Sequence, residues 1–154
     1  MKNYYPRVMD SILDFSLRAS GAVLIRGPKW CGKSTTAEQR AESAVYMQDR
    51  ETSAQNVELA KNAPSLLLAG PTPRLIDEWQ VVPLLWDQVR YEVDRRDENG
   101  QFILTGSATP LADPEGDESS PCEHSGIGRI NPLTMRTMSL FESQESTGAV
   151  SVAS

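Results

Sequence analysis

One histidine and two cysteines in 154 residues leave little from which to build a metal centre or a disulfide framework. Cys31 and Cys122 lie far apart, and neither stands near another cysteine or a histidine at metal-ligand spacing. That usage suits a reducing compartment, so a cytoplasmic protein is expected. No stretch approaches the ~20 apolar residues of a membrane span, and the polar opening over residues 1–7 lacks the apolar heart of a signal peptide. Positive charge is also scarce: 15 Lys and Arg against 21 Asp and Glu give a net charge of -6. A basic footprint for nucleic acid is therefore not supported. The deficit is local, because residues 111–128 hold Asp113, Glu115, Asp117, Glu118 and Glu123 without a Lys or Arg. The rest of the chain is close to neutral. Its length is that of one ordinary domain, and no internal repeat divides it.

Against this spare background one stretch stands out. Gly27-Pro28-Lys29-Trp30-Cys31-Gly32-Lys33-Ser34 fits the phosphate-loop pattern G-x-x-x-x-G-K-[ST] without a mismatch. The apolar, β-branched run 21–26 before it reads as a buried parallel strand, and residues 35–42 after it, opening at Thr35, read as a helix. Phosphate oxygens must be met by backbone N–H groups at close range, which calls for glycine at Gly27 and Gly32. Helix amides beginning near Gly32 add partial positive charge. Lys33 would meet the β and γ phosphates, and the Ser34 hydroxyl is placed to ligate Mg²⁺. Cys31 reads as a small side chain suited to a tight loop rather than as an activated thiolate at a helix N-terminus, and Trp30 either stacks on the nucleotide or a partner or covers the apolar flank of the loop.

The remaining chain alternates helices with short apolar strands, the pattern of a parallel sheet covered on both faces. Val8, Met9, Ile12, Leu13, Phe15 and Leu17 are spaced for an amphipathic helix opening near Pro6. Strands are expected at 44–48, 74–80 and 101–107, and a last one over 129–136, where Pro132 confines it to an edge or a bend. Helices are expected over 50–62 and 81–96, the second stopped by Asn99-Gly100. The apolar run 65–70 ends at a Gly-Pro-Thr-Pro turn. Residues 108–128, rich in Pro, Gly, Ser and acid, read as a mobile loop that includes His124.

Hydrolysis of a bound nucleotide needs a carboxylate for the metal shell and a group to orient water. Asp77 and Glu78, at the end of a strand, meet that need: Asp77 would hold Mg²⁺, directly or through its water, and Glu78 would act as general base. Otherwise they are an exposed acidic pair. Thr105 and Ser107 close the next strand, where parallel-sheet ligands gather, and either hydrogen-bond the γ phosphate or the water, or cap a turn. Arg129 and Arg136 could neutralise transition-state charge in their own subunit or a neighbour's, or lie solvated on the surface.

Several blocks together suggest a family. Tyr5-Pro6-Arg7, GAVLIRGPKWCGKSTTA from Gly21, PRLIDEWQ from Pro73, FILTGSATP from Phe102, HSGIGRI from His124 and MSLFES from Met138 resemble the AAA-type ATP-binding proteins of bacteria and archaea. Those proteins carry a nuclease-like C-terminal domain of unassigned function. The resemblance implies a three-layer α/β P-loop NTPase fold of the ASCE type, with a parallel five-stranded sheet in the order 5-1-4-3-2 and helices on both faces. It implies ATP as the nucleotide, a catalytic glutamate at Glu78, a sensor at Thr105 and an arginine block at Arg129. An ATPase domain over 1–142 is expected, with 143–154 as a tail cut short before the second domain.

Three functions compete. An ATP-binding, ATP-hydrolysing module would use Lys33, Ser34, Asp77 and Glu78 around Mg²⁺. An interaction switch or truncated fragment would bind ATP with negligible turnover, completed by a homo-oligomer or by the missing domain. A small-metabolite kinase would need a phosphate-covering lid, and the acidic 108–128 stretch lacks the arginines for one.

Overall fold

The computed structural model describes residues 3–107 and 128–149. The acidic stretch 108–127, expected to be mobile and holding His124 and Cys122, lies outside the described residues.

Five strands form one parallel sheet. They are β1 (Ala22–Gly27), β2 (Ser43–Tyr46), β3 (Arg74–Asp77), β4 (Phe102–Ser107) and β5 (Ile130–Thr134), in the spatial order β2-β3-β4-β1-β5. Read from the other edge, this is the 5-1-4-3-2 order expected from the sequence. β1 lies between β4 and β5, with Ala22 in register with both Phe102 and Ile130. Ala22, Val23, Leu24 and Ile25 are all buried, as a strand paired on both sides and covered on both faces requires. β5 is an edge strand, a position that tolerates Pro132, which has no N–H to give to a ladder.

Alternation along the strands divides the core into two layers. Leu24, Ile76 and Leu104 pack with α3 (Ser53–Asn62), α4 (Pro64–Leu68) and α5 (Leu84–Arg96), which supply Ala60, Leu68, Leu85, Trp86 and Val89. Val23, Ile25, Leu75 and Ile103 face the other way, toward Leu13 and Leu17 of α1 (Val8–Ala19) and Ala37 of α2 (Lys33–Glu38). Each such side chain contributes about 1.5–3 kcal/mol on burial, so the two layers together hold the sheet between its helices. Trp86 is buried against Trp79, ring centroids 5.0 Å apart.

Four local differences from the sequence reading have physical causes. α2 ends at Glu38 rather than Glu42, because the Glu42 N–H is already bonded to the Pro73 carbonyl as the chain turns into β2. The apolar run after Pro64 is the short helix α4, with proline at its first turn. α5 is stopped by Asp97, whose left-handed φ of 51° ends the helix before Asn99-Gly100 is reached. On α1, Leu13 and Leu17 face the sheet, whereas Val8, Ile12 and Phe15 are exposed.

Candidate functional site

The phosphate-loop sequence leaves the carboxyl end of β1, beside the carboxyl ends of β3 and β4. Gly27 is packed so closely that a Cβ there would lie 2.3 Å from the Met135 carbonyl oxygen. Trp30 and Gly32 have left-handed backbones, with φ of 66° and 98°. Alternating backbone hand is how anion-binding nests of N–H groups are made. Glycine adopts this conformation freely, while Trp30 holds it at a cost of about 1–2 kcal/mol. The buried Lys33 ammonium donates to the Gly27 and Pro28 carbonyls, at 3.1 and 2.9 Å. Cys31 is buried behind the loop, as expected of a small side chain in a tight turn.

Beside the loop, the first turn of α2 and strand β4 converge on the carboxylate that ends β3. The Ser34 hydroxyl donates to Asp77 Oδ1. The Thr105 hydroxyl donates to the same oxygen at 2.7 Å, and Thr105 Oγ1 accepts the Glu78 N–H at 3.1 Å. Thr105 is fully buried, so its hydroxyl holds β3 to β4 rather than capping a solvated turn. Ser34, Thr105 and Asp77 offer hydroxyl and carboxylate oxygens only. That set suits Mg²⁺, a hard cation that takes one or two protein oxygens and fills its shell with phosphates and water. Among the described residues no cluster of three or more His, Cys, Asp or Glu side chains could hold a metal on its own.

Glu78 has a left-handed backbone, φ 57°, a conformation that non-glycine residues keep mainly where surrounding contacts enforce it. Here its N–H is fixed by Thr105 and its carboxylate accepts a hydrogen bond from Gln80 Nε2. The carboxylate lines a cleft of about 370 Å³ whose other walls are Lys29, Trp30, Gly32, Lys33, Ser34, Thr35 and Gln48. Lys33, Ser34, Asp77, Glu78 and Thr105 are thus brought together. Arg129 is not: it precedes β5, at the amino end of the sheet, and its guanidinium bonds Asp94 at 2.5 Å. Because Ile130 is in register with Ala22, the opening residue of β1, Arg129 and the loop lie at opposite ends of the strands. Arg136 follows β5 at the carboxyl end and is exposed.

Three polar residues without an assigned role in the sequence reading belong to this neighbourhood. Gln48 follows β2 and Gln80 follows β3, so strand-end position was an available signal for both. Arg7 reaches the loop from the start of α1, and only the fold brings it there.

The sequence model for the AAA domain matches residues 19–143. The chain belongs to the AAA domain family. The match covers the loop, the Asp77-Glu78 pair and all five strands, and membership of the family points to nucleotide binding by the domain. A comparison with curated proteins gives no match. Among the described residues, no helix of this AAA domain is long and apolar enough to cross a membrane.

Proposed function

We propose that this AAA domain binds Mg-ATP in the cleft between the phosphate loop and Glu78, and hydrolyses it. The observation that carries the reading is the meeting of Ser34, Thr105 and Asp77 beside the loop, with Glu78 lining the same cleft. In this reading residues 27–35 cradle the phosphates, and Lys33 exchanges its two loop carbonyls for β and γ oxygens. Ser34 and Asp77 would hold Mg²⁺, which supplies neutralising charge on the β and γ phosphates when bound. Glu78 takes a proton from water as its oxygen bonds the γ phosphorus and the bond to the β–γ bridging oxygen breaks, giving ADP and phosphate. Thr105 keeps Asp77 and the Glu78 backbone in place.

A second reading, a nucleotide-dependent switch with negligible turnover alone, is favoured by two details. Glu78 is engaged by Gln80, and Arg129 is held by Asp94 away from the cleft. An arginine supplied by a neighbouring subunit is worth roughly 10³–10⁵ in rate. Arg129 would act only in this way, in a homo-oligomer. A nuclease-like domain following a 1–142 ATPase unit, with residues from 143 as the connection, would be another source of activation. Cytoplasmic location and ATP rather than GTP belong to the same proposal. Titration with ATP and GTP, with and without Mg²⁺, tests binding. Phosphate release measured against protein concentration separates the two readings, because assembly makes turnover rise faster than linearly. A wild-type protein that binds neither nucleotide would overturn both.

A further inference from the structure

Arg7 lies before the residues matched by the family and is 8% exposed, unusual burial for a guanidinium. It bonds three separate segments. Nη1 donates to the Cys31 carbonyl inside the phosphate loop at 2.8 Å, and Nη2 donates to the Arg136 carbonyl beyond β5 at 2.9 Å. Nε donates to Glu142 Oε1 at 3.1 Å. The Arg7 backbone is itself fixed, since its N–H donates to Asp10 Oδ2 at 2.9 Å.

A loop that directs N–H groups inward at an anion must send carbonyls outward, and a buried carbonyl without a donor is costly. The donors here are cations. Lys33 serves Gly27 and Pro28, and Arg7 serves Cys31. Once Lys33 turns to phosphate, Arg7 remains as the cation fixed to the loop backbone. Gly32 is shaped by the same contact, since a Cβ there would lie 2.9 Å from Arg7 Nη1. Glu142 balances the charge: its side chain is 8% exposed and also accepts the Val8 and Ser139 N–H groups, at 2.9 and 2.7 Å.

We propose that Arg7 is a positioning residue for the phosphate loop, holding the Cys31 carbonyl outward, with Glu142 as the counter-charge that keeps the guanidinium in place. The loop's anion-binding shape then depends on residues 136–142 being docked against the start of α1. The proposal rests on the nucleotide reading for its consequence, but its structural half can be measured without nucleotide.

The test is the double variant R7M/E142Q, which removes the fork without leaving a buried charge unpaired. In the ligand-free protein, amide exchange over residues 28–34 should speed by about 10-fold or more, with β1 and β4 unchanged. Mg-ATP affinity should fall by about 10-fold or more. Arg7→Lys keeps a charge without the planar fork and should fall between wild type and the double variant on both measures. A folded double variant with wild-type loop exchange and wild-type affinity overturns the proposal. If the double variant does not fold, Arg7→Lys decides by the same criteria. Faster loop exchange in a protein whose wild type binds no Mg-ATP would remove the nucleotide reading and leave the role of Arg7 standing.

Discussion

The two ends of the sheet use charge in opposite ways. At the amino end, charges close on one another. The buried Glu92 accepts from Arg95 and Arg96 at 2.8 and 3.0 Å, Arg96 also bonds Gln101, and Arg129 bonds Asp94. At the carboxyl end, Lys33 is bonded to neutral carbonyls rather than to a carboxylate, and Asp77 and Glu78 are bonded by hydroxyls and an amide. Ion pairs within a chain satisfy charge permanently. Neutral partners leave charge that a ligand can claim, and Trp30, Gly32 and Glu78 hold their left-handed backbones beside that charge.

Substitutions can break or sharpen this contrast. The largest effect belongs to Glu78→Gln, which should lower phosphate release by about 10²–10⁴ while Mg-ATP affinity stays within about 2-fold. Normal turnover would remove the general base from the carboxyl end. Lys33→Ala should weaken Mg-ATP binding by about 100-fold in calorimetric titration, and unchanged affinity would show its charge to be as fully committed as those opposite.

At the amino end the effects should be on stability. Glu92→Gln weakens the contacts of a buried carboxylate with Arg96 and with the more exposed Arg95, and should lower the thermal midpoint by about 5 °C with unchanged nucleotide affinity. Glu142, paired with Arg7 near the loop, gives an acid signature. Burial, the largest influence, would raise its pKa, but hydrogen bonds from Ser139, Val8 and Arg7 outweigh it and hold the carboxyl at about 2, against 4.5 ordinarily. A depressed carboxylate stabilises the fold above its unfolded pKa, and that stability is lost as pH falls from about 4.5 toward about 2. Thermal midpoints of Glu142→Gln should therefore fall less steeply over that window than those of wild type. Arg129→Ala should have the smallest effect, within about 2 °C, because both partners are substantially exposed. A large loss of turnover in Arg129→Ala would instead bring the amino end into the chemistry through a neighbouring subunit.

What was legible in the sequence follows the same division. The loop, the Asp77-Glu78 pair and Thr105 were readable because each combines a local motif with a strand end. Burial of Leu85, Trp86, Val89 and Val93 followed from helical spacing, whereas Val82, counted with them, is buried from extended backbone between a short 3-10 turn and α5, which opens at Leu84 rather than Val81. The place of Arg129, at the opposite end of the strands from the loop of its own chain, was not legible because it depends on the register of β5 against β1, which no local pattern encodes. Arg7 was visible within a recognisable block, but its partner Glu142 is 135 positions away. Asp97 ends α5 in place of Asn99-Gly100 because the helix needs a left-handed residue one position past Arg96, and aspartate tolerates that conformation.

Trp30 gives the loop an optical consequence. Its side chain is 99% exposed and lines the cleft, whereas Trp86 is buried beside Trp79. An indole in water emits at longer wavelength than one in the core and is reached by dissolved quenchers. The red edge of this protein's fluorescence therefore reports on the phosphate loop, so its occupancy can be followed in unlabelled protein.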